Sequence, residues 1–135
     1  MPTHDLPALP HAFPFLLLDR ILEVRPGQLA IAMRRVTADD PLAEPDGCLP
    51  PVLLAEALAQ CAGVAVRGMG TGAVLARLDR FRSRCGRVPA GVELRIHARV
   101  VRVFGAVVKV RGVVWADGQR WAAGEVVLRV DQPNE

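Results

Sequence analysis

Val92-Glu93-Leu94-Arg95-Ile96-His97-Ala98-Arg99-Val100 alternates without a break between apolar and polar side chains. A period of two places each set on its own face of a half-buried β-strand. Two Val-rich runs follow, Val107 to Trp115 and Trp121 to Val130, joined by Ala116-Asp117-Gly118-Gln119. Asp-Gly between apolar runs supplies the two left-handed residues that a tight hairpin turn needs. The C-terminal half is therefore predicted to be an antiparallel meander. Nearer the N-terminus, Phe13 to Val24 is mostly apolar, Pro26-Gly27 marks a turn, and Leu29 to Val36 reads as a strand. These segments predict a first hairpin.

Between hairpin and meander the pattern changes. Thr37 to Pro51 concentrates Pro, Gly and Asp, which predicts an irregular loop. It leads into LPPVLLAEALAQCAGVAV, Leu49 to Val66, almost wholly apolar but with Glu56 near its middle. Pro50 and Pro51 suit the start of a helix, where a missing N–H costs nothing, and Leu53, Leu54, Ala55, Ala57, Leu58 and Ala59 are strong helix formers. Gly63 and Gly68 weaken the far end, and the glycines from Gly68 to Gly72 close it. Apolar residues on nearly every face over about four turns describe a helix enclosed by other structure. One enclosed helix between early strands and a late meander predicts an α+β architecture, a curved antiparallel sheet wrapped around one long central helix. A length of 135 residues suits one domain, residues 1–135.

Composition narrows the class. Half the residues are hydrophobic and no segment is of low complexity, as in a folded core. The first residues, MPTHDLPALPHAF, lack a basic segment followed by an apolar one, and Glu56 and Gln60 interrupt the longest apolar run. A cytoplasmic protein without a membrane partner is expected. Cys48, Cys61 and Cys85 are widely spaced without a C-x-x-C, so they read as reduced thiols and no metal is expected. Gly68-x-Gly70-x-Gly72 follows a helix rather than a strand and reads as a flexible connection, not a phosphate loop. In ARLDRFRSRCGR, Arg77, Arg80, Arg82, Arg84 and Arg87 face one acid, Asp79. The run suits either an acidic docking partner or a solvated edge. With Phe81 its one aromatic and no recognition helix, it does not suit nucleic acid.

LPHAFPFLLLDRILEVRPG, Leu9 to Gly27, and LPPVLLAEALAQCAG, Leu49 to Gly63, resemble the opening and central-helix motifs of FabZ-type beta-hydroxyacyl-acyl-carrier-protein dehydratases. The resemblance implies the hotdog fold, an acyl carrier protein or CoA thioester as substrate, no cofactor, and a homodimer or a heterodimer with a second hotdog subunit. It places Glu56 on the position of the family's catalytic acid, with Gln60 one turn later on the same face supporting it. A carboxyl in an apolar pocket is harder to ionise, which suits proton exchange with a beta-hydroxyl as water leaves. A hydrogen-bonded structural glutamate is the alternative reading of the residue alone. Val52 and Leu53, at the helix start, are the expected substrate-binding positions, and Arg80, Arg82, Arg84 and Arg87 the carrier-protein contacts.

The likeness breaks at two points. The family carries its catalytic histidine in a G-H-F-P-G loop before the helix, but here that stretch reads LAEPDGC, shorter and without histidine. The family's helix-start glycine is Pro51, which has no N–H to donate, leaving Val52 as the next amide. His4, His11 and His97 are the remaining histidines. His11 reads as structural, His97 as an exposed strand residue, and His4 as part of a tail. The shortened loop resembles a divergent branch, the ApeP-like proteins of aryl polyene gene clusters. It implies a dehydratase-like activity on carrier-bound acyl chains in fatty acid or aryl polyene type biosynthesis. A non-catalytic acyl-binding subunit of a hotdog heterodimer and an acyl thioesterase are the alternatives.

Overall fold

The computed structural model describes residues 17–37, 39, 50–84 and 88–131. Its elements in chain order are β1 (Arg20–Arg25), β2 (Leu29–Arg35), α1 (Val52–Ala65), β3 (Gly72–Ser83), β4 (Glu93–Phe104), β5 (Val107–Ala116) and β6 (Gln119–Asp131). Among the described residues the strands form one sheet in the order β1-β2-β4-β5-β6-β3, antiparallel at every pairing. The helix touches every strand, so the sheet wraps it as expected for the hotdog arrangement.

The turns follow from local chemistry. Asp117 and Gly118 both take positive φ, 50° and 75°, the geometry that matches a two-residue turn to the twist of β5 and β6. Between β1 and β2, Gly27 adopts φ 77° and the Gln28 amide donates to the Arg25 carbonyl at 2.9 Å. Both hairpins stand where the sequence predicts them. The strand in the first begins at Arg20, with Leu17 and Leu18 buried ahead of it outside regular structure. The rest of the expected strand, Phe13 to residue 16, lies outside the described residues.

A row of small residues crosses the sheet, covered by the helix at Gly112 and by Phe81 at Gly124. Ala30 pairs with Ala98, Ala98 with Gly112, and Gly112 with Gly124, which runs a shallow track across β2, β4, β5 and β6. Leu58 fills the space this leaves, since a Cβ built on Gly112 would lie 2.8 Å from its Cδ2. Leu54, Leu58, Val64 and Ala65 are fully buried against Ile96, Val110 and Val114. Each fully buried aliphatic side chain of this size contributes roughly 1.5–3 kcal/mol. Cys61 points the same way, its thiol donating to the carbonyls of Ala30 at 3.6 Å and Ile96 at 3.5 Å. Burial pushes its pKa up to about 12, so it stays a neutral thiol. Cys48 and Cys85 lie outside the described residues.

One element goes beyond the sequence reading, and one expectation is corrected. The basic stretch after the helix is an edge strand, β3, paired with β6 and broken by bulges between Leu75 and Arg77 and between Asp79 and Arg82. The bulges disturb the period of two on which a strand is recognised. The glycine-rich connection before it is held in place rather than free. The Thr71 amide donates to the Asp131 carbonyl at 2.8 Å, and a Cβ on Gly70 would stand 2.2 Å from that same oxygen. Gly70 is there because the chain passes too close to β6 for any side chain.

Candidate active site

Glu56, Ala59 and Gly63 are three and four residues apart, so they share one stripe of α1. This stripe faces away from the small-residue track and is less buried than the rest of the helix. With Gln60, Arg67, the first four residues of β3 and Leu128 of β6 it lines a cavity of about 670 Å³. Apolar side chains dominate the walls near β3, where Val74 and Leu75 are exposed, while Glu56 supplies a carboxylate. That composition suits a small-molecule site with an apolar body and a few polar groups.

The polar end is ordered by a short relay. The amide of Leu17 donates to the Gln60 side-chain oxygen at 2.7 Å. With its acceptor end taken, the Gln60 amide turns its nitrogen to Glu56 and donates to Oε1 across a long 3.4 Å contact. Gln60 is only 3% exposed, and a buried amide without such partners would be strongly destabilising. Glu56 is half-buried at the cavity wall, where a bound molecule and the Gln60 amide can both reach it. The structure thus brings together the two residues proposed as the catalytic pair.

The other expected positions fall elsewhere. Val52 is 69% exposed at the helix start, and Leu53 is partly buried against the core, neither of them bordering this cavity. The amides of Leu53 and Leu54 donate to the carbonyls of Pro50 at 3.0 Å and Pro51 at 2.9 Å. The Val52 amide meets no acceptor among the described residues, at the positive end of the helix. Arg80 and Arg82 are exposed further along β3 than its cavity-lining start, and Arg84 is exposed just past its end. The Arg84 guanidinium stands 5.7 Å from the centre of the Trp121 ring and donates to Gln119 Oε1. Arg87, His4 and His11 lie outside the described residues.

His97 is the described histidine, and it belongs to the wrong face for joining Glu56. Its neighbours Ile96 and Ala98 point inward toward the helix, so its own side chain lies on the outer surface, opposite Ile31 and Val113. Partial burial, and secondarily the charge of Arg95, hold its pKa below the ordinary histidine value. Arg67, Thr71, Val74 and Leu75 also border the cavity, and the sequence pattern does not single them out. They lie just before, among and after the glycines that end the helix, and their place depends on how β3 returns alongside β6. Arg34 had a visible signal, since it shares the inward phase of Ala30 and Ala32 and is buried there. Among the described residues no three His, Cys, Asp or Glu side chains converge as a metal-ligand group, and no helix is long and apolar enough to cross a membrane.

Known proteins are similar to this chain in sequence and in fold. A 3-hydroxyacyl-[acyl-carrier-protein] dehydratase FabZ from Pelotomaculum thermopropionicum is 36% identical over 130 residues, covering 90% of this chain and 92% of the relative. The FabZ of Roseiflexus castenholzii is 38% identical over 130 residues, 89% of each chain. Among solved structures, one described as the dehydratase heterocomplex ApeI:P from Xenorhabdus doucetiae superposes with a TM-score of 0.80 over 94% of this chain and 89% of its own. At 22% identity that likeness concerns the fold. The ApeP-like family, described as ApeP dehydratase, matches residues 6–134, which takes in both the Glu56 helix and the histidine-free loop before it. The chain belongs to this ApeP-like dehydratase family.

Proposed function

We propose that this chain acts in the dehydration of a 3-hydroxyacyl thioester carried by an acyl carrier protein, with Glu56 as its acid–base group and Gln60 holding that carboxyl in place. The observation that carries this reading is a half-buried carboxyl, hydrogen-bonded by an anchored amide, on the wall of a mostly apolar 670 Å³ cavity. The relatives' names supply the substrate class, a 3-hydroxyacyl group on acyl carrier protein. The work belongs in the cytoplasm, in the synthesis of fatty acids or related polyenes.

Loss of water breaks the C2–H and C3–O bonds and forms the C2=C3 double bond. One group must take the C2 proton and one must give a proton to the departing hydroxyl. Glu56 can perform one of these tasks. His97 cannot perform the other, because the sheet stands between it and the helix. A second hotdog subunit pairing along the open edge of β3 would bring further groups to the cavity, whose wall β3 itself forms. The heterocomplex description of the ApeI:P neighbour supports that arrangement. With the acyl chain in the cavity, the thioester end would leave it past Glu56 toward the helix start. There the Val52 amide, one turn away with Leu53 beside it, would receive the carbonyl, and Arg80, Arg82, Arg84 and Arg87 would meet the acidic carrier protein.

The test is turnover of a 3-hydroxyacyl carrier-protein thioester by the protein alone and together with a histidine-bearing hotdog subunit, following enoyl product and free thiol by mass spectrometry. Enoyl product that falls at least ~100-fold in Glu56→Gln, at unchanged melting temperature, is expected. Free thiol in its place would establish a thioesterase. Full activity of Glu56→Gln in the mixture would make the chain an acyl-binding subunit without a catalytic part.

A further inference from the structure

The outer face of the sheet, turned away from α1, carries a second groove. Leu29, Ile31, Val113 and Trp115 line an apolar hollow of about 260 Å³ that also borders on Arg99. Sharing Arg111 and Val113 with it is a second hollow of about 300 Å³, bounded by Arg80, Arg120 and the Glu125 carboxylate. The two adjoin through these shared residues, with apolar side chains and Arg99 at one end and three arginines against one carboxylate at the other.

The charges there are unbalanced. Arg99 and Arg111 are direct cross-strand partners, and like charges placed so disfavour the sheet. Glu125 is already engaged by Lys109 at 3.3 Å and Arg111 at 3.8 Å. Among the described residues no carboxylate lies within ion-pair distance of Arg80, Arg99 or Arg120. Arg80 adds an independent observation. It sits in the bulge of β3 with φ 53°, a backbone conformation that residues with a side chain rarely hold, and its side chain borders the cationic hollow. Strain of this kind persists where the surroundings impose it and often marks a functional position.

We propose that this groove binds an anionic amphiphile, with a carboxylate or phosphate head among Arg80, Arg99, Arg111 and Arg120 and an apolar chain along Val113, Trp115 and Ile31. It is separated from the Glu56 cavity by the sheet and does not depend on the reaction proposed there. Arginines answer a carboxylate or phosphate with paired N–H donors, and the adjoining apolar wall supplies the driving force for the chain.

The test uses the full chain carrying Trp121→Phe, which leaves Trp115 as the fluorescent reporter and removes an indole N–H that has no partner among the described residues. Decanoate and decyl phosphate are titrated against decanol and inorganic phosphate. A saturable Trp115 response to one or both anionic amphiphiles is expected, and their relative affinity tells a fatty carboxylate from a phosphate head. Arg80→Gly should weaken binding about tenfold while holding or raising the melting temperature, since glycine relieves the φ it inherits. Arg99→Ala should weaken it similarly, and Glu56→Gln should leave it unchanged. Equal binding of decanol, affinities within twofold in both arginine variants, loss of the response in Glu56→Gln, or a response that tracks protein concentration as copies cover the groove would each overturn the proposal.

Discussion

Gln60 joins two parts of the chain that are 43 positions apart, and through it the segment before β1 helps to orient Glu56. Gln60→Leu keeps much of the volume but leaves the Leu17 amide buried without its acceptor. A stability loss of about 1–3 kcal/mol is expected by chemical denaturation, with kcat lowered about tenfold and KM little changed. The Glu56–Gln60 pair was legible because one helical turn separates the two residues in an apolar run. Leu17 was not, because nothing local marks a backbone amide as the partner of a distant side chain. The buried thiol gives a second prediction. Cys61 ionises at about 9.0 in the unfolded chain and about 12 when folded, so the stability it contributes is present below pH 9 and is lost as pH rises toward 12. Alkylation at pH 8, mapped by mass spectrometry, should leave Cys61 unmodified until denaturant is added. His97 acts at the acid end. Its lowered pKa means that its contribution is present above about 6.5 and is lost as pH falls below that value, more shallowly in His97→Gln.

The helix and the sheet fit each other through what is missing as much as through what is present. Ala30, Ala98 and Gly112 let α1 approach closely enough for Leu58 to occupy the room a side chain on Gly112 would need, while Phe81 of β3 fills the space beside Gly124. Gly112→Ala is therefore expected to destabilise by about 1–3 kcal/mol, and Leu58→Val in the same chain to recover part of that loss, a coupling that a double-mutant cycle in urea would measure. Alternation and the Asp-Gly turn made β4, β5 and β6 readable, because a half-exposed meander writes its two faces into a period of two. The small-residue track was not readable, since it exists only once the strands stand in register. β3 escaped for a related reason. Its two bulges shift the phase within one strand, and its arginines suggest an exposed segment without showing that the backbone pairs with β6.

The assembled chain leaves one side of its cavity to β3, an edge strand whose Val74 and Leu75 are 60% and 46% exposed. An open edge with apolar side chains is an invitation to pair, and natural edges that remain unpaired are usually guarded by charge or by proline. The arginines of β3 guard its later half, while Gly72 to Leu75 carry no charge. Pairing there would also bury the apolar wall of the Glu56 cavity, so assembly and catalysis should fail together. Leu75→Arg tests this without touching the core, because the side chain is already in solvent. Light scattering should show the wild-type chain as a dimer, alone or with a histidine-bearing hotdog partner, and the variant as a monomer with an unchanged circular dichroism spectrum. Dehydration in the reconstituted mixture should drop by at least ~100-fold in that variant. A variant that stays dimeric and active would move the contact to another surface, and one that stays dimeric but inactive would make Leu75 a residue of the acyl cavity rather than of the interface.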